Sequence, residues 1–158
     1  MKLATEHQFT ALVGIDWADR KHDFCLQATG SDRRESGVLV HNPESIAQWA
    51  SGLHRRFGGP IAVCLEIAKG PLVHALQRHD FLVLFPVNPA MLAKYREAFV
   101  PSRAKDDPTD AEIALELLLW IGTSFRHFSR KVLICELWQR WSSNDAASLA
   151  IRLASPFD

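Results

Sequence analysis

Four carboxylates in this chain sit where a segment changes character. Asp16 ends the apolar run "ALVGID", and Glu66 ends the apolar run "IAVCLE". Asp107 and Asp110 stand just before the apolar part of "KDDPTDAEIALELLL", Lys105 to Leu119. A charge at the mouth of an apolar strand costs free energy unless something pairs with it. Open α/β sheets bind ligands beyond the carboxyl ends of their strands. If the two apolar runs are neighbouring strands, Asp16 and Glu66 face one cleft. The simpler explanation is that each marks the point where its strand meets solvent. Four ionised carboxylates repel one another unless cations separate them. All-oxygen donors suit Mg²⁺ or Mn²⁺ rather than zinc. Two such ions side by side serve in-line attack at a phosphodiester, by activating the nucleophile and stabilising the leaving oxygen. Arg103 and Lys105 precede the last acid pair, and either would neutralise a phosphate there. A solvated basic loop explains them equally well.

Helix chemistry offers a rival account of the last pair. Asp107 suits an N-cap, Pro108 the first helical position, and the helix dipole favours acids in the first turn. Asp110 fits that account less well. It shares the i, i+3, i+4, i+7 stripe of Ile113, Ala114 and Leu117, so it is expected on the helix face turned toward the core. Asp106 has no such position and reads as a solvated neighbour.

These side chains need strands and helices to carry them. Ala11–Trp17 reads as a buried strand, His22–Thr29 as a second strand after the gap "ADRK", and Val38–Asn42 as a third. "GSDRRESG" between the last two reads as turn chemistry. Asn42–Pro43 reads as the cap and first residue of a helix carrying Ile46, Trp49, Ala50, Leu53 and Phe57 on one face. Gly58–Pro60 ends it. A strand over Ile61–Glu66, a helix from Gly70–Pro71 to about His79 and a strand over Phe81–Pro86 follow. Asn88–Pro89 then opens a helix with Met91, Leu92, Tyr95 and Phe99 on its stripe. The order is β-β-β-α-β-α-β-α, loop, α. Tight connections make the first three strands antiparallel, and helical crossovers make the later ones parallel. The expected fold is α/β, a mixed sheet with helices packed on it.

Composition narrows the class. The chain has 158 residues, 47% hydrophobic and 23% charged, enough for one cored domain. Its 18 basic and 18 acidic residues cancel, so a nucleic-acid partner must be argued from local sites. Cys25, Cys64 and Cys135 form no CxxC pair and read as small core residues in a reducing compartment. No secretory h-region opens the chain and no apolar run is long enough to span a bilayer, so a cytoplasmic protein is expected. His22 lies near Asp16 in sequence but lacks a metal-ligand spacing, and a strand-edge role is expected for it. Trp17 is expected to pack.

The segments "GIDWADRKHDFCL", "CLEIAKGPLVHAL", "FPVNPAMLAKYREAF" and "SRAKDDPTDAEIALELL" together resemble the DEDD transposases of the insertion-sequence-one-ten family and the related pilin-gene inverting recombinases. The resemblance covers roughly Val13 to Leu119 and rests on four motifs in order. It implies an RNase H-like, RuvC-like fold whose Asp, Glu, Asp, Asp tetrad binds divalent metal. By motif, that tetrad falls on Asp16, Glu66, Asp107 and Asp110. It also implies DNA as substrate, site-specific recombination in DNA transposition, and homo-oligomeric assembly. In the insertion-sequence branch it implies an element-encoded guide RNA. One departure is "KDDPTDA", where the family pattern often reads KTDRxDA; the arginine between the acids is missing.

The family's continuation into a second, serine-bearing domain has no counterpart in the motifs read here. From Trp120 the composition changes, and three of the five tryptophans lie at 120, 138 and 141. The expectation is a domain over 1–120 and an aberrant tail over 121–158, the product of truncation or of a frameshift near codon 120. A genuine amphipathic helix with Phe128, Val132, Cys135 and Trp138 is the alternative. None of the tail serines matches a nucleophile motif. Two further classes compete with the transposase reading. Actin-like ATPases and sugar kinases also start with an aspartate at a first strand end, but they need glycine-rich phosphate hairpins, and "WADRKHD" has no glycine. A catalytically inactive transposase remnant that binds metal and nucleic acid is the other.

Overall fold

The computed structural model describes residues 9–66, 69–99 and 109–124. All of these but Ser124 belong to Met1–Thr123, the first of two units into which the chain divides. Five strands and four helices run in the expected order: β1 (Ala11–Asp16), β2 (Lys21–Ala28), β3 (Arg34–Val40), α1 (Pro43–Phe57), β4 (Ile61–Leu65), α2 (Pro71–Gln77), β5 (Leu82–Pro86), α3 (Pro89–Phe99) and α4 (Asp110–Ser124). The strands form one sheet in the order β3-β2-β1-β4-β5. β1, β2 and β3 pair antiparallel, whereas β4 pairs parallel with both β1 and β5. This is the mixed sheet of an RNase H-like fold, as the sequence led one to expect.

Strand alternation sorts the side chains onto two faces. Val13 and Ile15 of β1, Leu26 of β2, Val63 and Leu65 of β4 pack with Ile46, Ala50 and Leu53 of α1 and Leu72, Val73 and Leu76 of α2. The other face carries Cys25 and Leu12, which pack with Ala111, Leu115 and Leu119 of α4. Gly14 lies on this second face, register partner of both Cys25 and Cys64. A Cβ on Gly14 would stand 2.1 Å from the Ala111 carbonyl oxygen and 2.5 Å from the Leu115 nitrogen. α4 therefore rests backbone to backbone on β1, and only glycine leaves room for it.

Local chemistry explains most boundaries. Asn42 caps α1 by accepting from the Ser45 N–H at 2.7 Å, and Gly58 ends it in the left-handed region at φ 66°. Asn88 accepts from the Ala90 N–H at 2.8 Å at the start of α3.

One expectation fails. β3 begins at Arg34, inside the stretch read as a turn. Its polar residues suit an edge strand, because Arg34 reaches Gln27 and Glu116, and Glu35 pairs with Arg56 of α1. Gly37 belongs in the strand because the Phe24 ring lies across it, 2.7 Å from where a Cβ would stand. At the start of α4 Thr109 acts as a cap, whereas Asp107, offered above as a cap, lies outside the described residues. The Glu112 N–H donates to Thr109 Oγ1 at 3.3 Å, and the Thr109 N–H donates to Glu112 Oε2 at 2.6 Å. That reciprocal pair is a capping box, spelled "TDAE". Asp110 is thus the first helical residue and is not needed as a cap.

Candidate functional site

β1 and β4 are parallel neighbours with Ile15 opposite Leu65, so Asp16 and Glu66 follow side by side at the carboxyl edge of the sheet. Both fall on the α4 face by alternation from Gly14 and Cys64. α4 starts over the same edge, because Ala111 and Leu115 sit on Gly14, two residues before Asp16. Glu66 and Asp110 line one cavity of about 220 Å³, walled by Leu92 and Arg96 of α3 and Ile113 of α4. Asp110 thus turns toward α3 and the strand ends. Of the stripe expected to face the core, Ile113, Ala114 and Leu117 are buried, and Ala111, Ala114 and Leu115 bring the helix backbone against Gly14. Asp110 is also half exposed, its side chain at 44%, and is ion-paired with Arg96.

Electrostatics ties Asp16 to this group. Its carboxyl is held above the usual aspartate range, first by burial, then by the charges of Asp23 and Glu66, with Arg96 acting in the opposite sense. Asp23 is the register partner of Asp16 across the β1–β2 hairpin, exposed on the same face. Of the expected site residues, Asp16, Glu66 and Asp110 share this edge. Asp107, Arg103 and Lys105 lie outside the described residues, as do Cys135 and the tail serines.

Two groups at the site were not singled out from sequence. Asp23 had a signal: a four-residue connection between two alternating strands sets Asp16 against Asp23. Arg96 had none, since its place depends on how α3 packs beside α4.

The donors are of the right chemistry for a hard cation, all carboxylate oxygen. Among the described residues, however, no three Asp, Glu, His or Cys side chains already gather closely enough to ligate one ion. Arg96 holds Asp110, and the fourth acid of the motif is Asp107. The residues fit a divalent ion in type and in side of the sheet; Asp110 must leave Arg96 for it to contribute.

His22 differs from expectation. It is fully buried, on a strand flanked by β1 and β3, and faces the side away from α4. The Ala18 N–H donates to its Nδ1 at 3.1 Å, so the ring proton sits on Nε2, which faces His41 Nδ1 at 2.8 Å. His22 therefore pins the turn that follows Asp16 and takes no part in the acid group. Trp17, expected to pack, is 40% exposed. Cys25 and Cys64 are buried, and burial pushes both thiols upward, as inert core residues require. Among the described residues, no helix is long and apolar enough to cross a membrane.

The fold is an RNase H-like mixed sheet with Asp16 and Glu66 side by side at its carboxyl edge. Comparison with known proteins gives the family. The family model described as Transposase, of the DEDD type named for IS110, matches residues 13–145. The matched span runs on past Leu119, where the motifs read from sequence end. A Sinorhizobium fredii protein named "Putative transposase y4uE" is 34% identical over 120 residues, covering 72% of this chain and 33% of that protein. A Streptomyces coelicolor protein, "Mini-circle putative transposase for IS117", is 32% identical over 116 residues, covering 72% of this chain and 28% of the relative. The chain belongs to the IS110-type DEDD transposase family. It spans about a third of the length of these curated relatives.

Proposed function

We propose that this domain carries the metal-dependent phosphodiester chemistry of a DNA transposase, with Asp16, Glu66, Asp107 and Asp110 as its divalent-metal ligands. The observation that carries the reading is the cavity wall shared by Glu66 and Asp110, beside the strand end that bears Asp16. A bound pair of Mg²⁺ or Mn²⁺ ions supplies an activated attacking oxygen and charge neutralisation at the leaving oxygen. The chain's own part is orientation. Gly14 lets α4 close onto β1, the capping box fixes where α4 starts, and the parallel pairing of β1 with β4 aligns Asp16 with Glu66. The partners that follow are DNA, held in part by Arg103 and Lys105, an element-encoded guide RNA, and further copies of the chain.

The test is thermal melting against Mn²⁺ and Mg²⁺ for the wild type, Asp16→Ala and Asp110→Ala. A ligand that binds only the folded state raises the melting temperature by mass action. The wild type is expected to gain stability with metal, and each variant to lose most of that gain. A folded wild type with no response to either ion would remove the metal role. A second reading keeps metal and nucleic-acid binding without recombination. A metal-dependent strand-cleavage assay separates the two.

A further inference from the structure

Among the described residues lining the cavity, Arg96 is the one cation, and it is committed to Asp110. It also acts on Asp16, lowering a carboxyl that burial and two neighbouring acids raise. One guanidinium thus partly neutralises the same carboxylates that the proposed function assigns to metal. Its hold is weak. The Arg96 and Asp110 side chains are 50% and 44% exposed, and pairs so exposed to water are easily exchanged. A divalent ion brings twice the charge to several carboxylates at once and outcompetes it. Asp110 cannot serve both cations fully, so metal loading frees the guanidinium. Arg96 then remains on the wall of the cavity with five donors in a planar fork, a geometry that matches phosphate oxygens.

We propose that Arg96 is the counter-cation of the metal-free site: it holds Asp110 until a divalent ion takes that carboxylate, and the freed guanidinium then holds a phosphate of the DNA strand. The proposal rests on the metal-site reading given above. It gives Arg96 a positioning role with two effects of opposite sign, which a merely structural arginine would not produce.

The experiment compares the wild type, Arg96→Ala, Arg96→Gln and Arg96→Lys, each checked for folding by circular dichroism. Mn²⁺ affinity is read by electron paramagnetic resonance. Binding of a fluorescent DNA duplex is read by anisotropy in Ca²⁺, over a series of salt concentrations. Arg96→Ala and Arg96→Gln are expected to bind Mn²⁺ up to about fivefold tighter, the size of an exposed ion pair removed from competition. The same two variants are expected to bind DNA more weakly, with the log–log salt slope reduced by about 1. Arg96→Lys keeps most of the slope but loses affinity, because an ammonium lacks the fork. Unchanged Mn²⁺ affinity in Arg96→Ala, with the wild type binding Mn²⁺, overturns the inference and leaves the metal reading standing. An unchanged salt slope overturns the phosphate contact. A wild type that binds no Mn²⁺ overturns both the inference and the reading beneath it.

Discussion

Replacing Gly14 by alanine tests how the site is built. A Cβ there would meet the Ala111 carbonyl oxygen at 2.1 Å and the Leu115 nitrogen at 2.5 Å, where ordinary contact begins at 3.4 Å. Both atoms belong to helix backbone, so no side chain can swing aside. α4 must retreat by about 1.3 Å, or β1 must bend. Overpacking of this kind costs about 1–3 kcal/mol, and a backbone clash belongs at the upper end. For a chain of this size, about 3 kcal/mol lowers the melting temperature by roughly 6–12 °C. The retreat also carries Asp110 away from Asp16 and Glu66. Mg²⁺ tolerates little departure from oxygen distances of about 2.0–2.1 Å, so the metal-induced stabilisation should shrink as well. Gly52→Ala in α1 is the control, since nothing stands within 4 Å of its added Cβ. It should stabilise the protein by about 0.5–1 kcal/mol, the helical preference of alanine over glycine. Calorimetry with and without Mn²⁺ reads both quantities. A Gly14→Ala protein as stable as the wild type, with its metal response intact, would refute the claim that α4 docks on β1 through this glycine.

Other outcomes follow from the same geometry. Asp16→Ala should melt higher than the wild type in metal-free buffer near pH 7, because it removes a carboxylate disfavoured by burial and by Asp23 and Glu66; a lower melting temperature would mean that Asp16 is paired. Thr109→Ala should cost about 1 kcal/mol through loss of the capping box, and Glu112→Ala made on that background should add little, which chemical denaturation of the two variants can check. His22 titrates below its ordinary value because it is buried and faces His41. The unfolded chain therefore takes up this proton first, and stability should be full above about pH 6.5 and fall as the pH drops below it. His22→Gln should flatten that fall in melting curves taken between pH 7.5 and 5.

The strands were legible because each apolar run is short and bounded by turn residues, and Asn-Pro at 42 and 88 gave two helix starts. β3 was misplaced because an edge strand tolerates charge: Arg34 and Glu35 look like loop residues until their partners Glu116 and Arg56 are in view. The start of α4 is ambiguous in sequence for a different reason. "DDPTDAE" offers two grammars, Asp-Pro and Thr-x-x-Glu, and the reciprocal hydrogen bonds of the second are formed. Asp16 and Glu66 could be named from sequence because strand ends are visible in hydropathy, although their adjacency needed the β1–β4 pairing. Arg96 and the role of Gly14 were not legible. Both arise where one helix packs on something distant in sequence, α3 beside α4 and α4 on β1, and no local pattern encodes that approach.

The most direct test of the central claim is anomalous diffraction from crystals of the wild-type protein soaked in Mn²⁺. The account predicts at least one manganese peak at the carboxyl edge of the sheet, within roughly 2.0–2.4 Å of oxygens of Asp16 and of Glu66 or Asp110, with Arg96 turned away from Asp110. Crystals of the soaked protein with no peak at that edge, and with Asp110 still paired to Arg96, would contradict it.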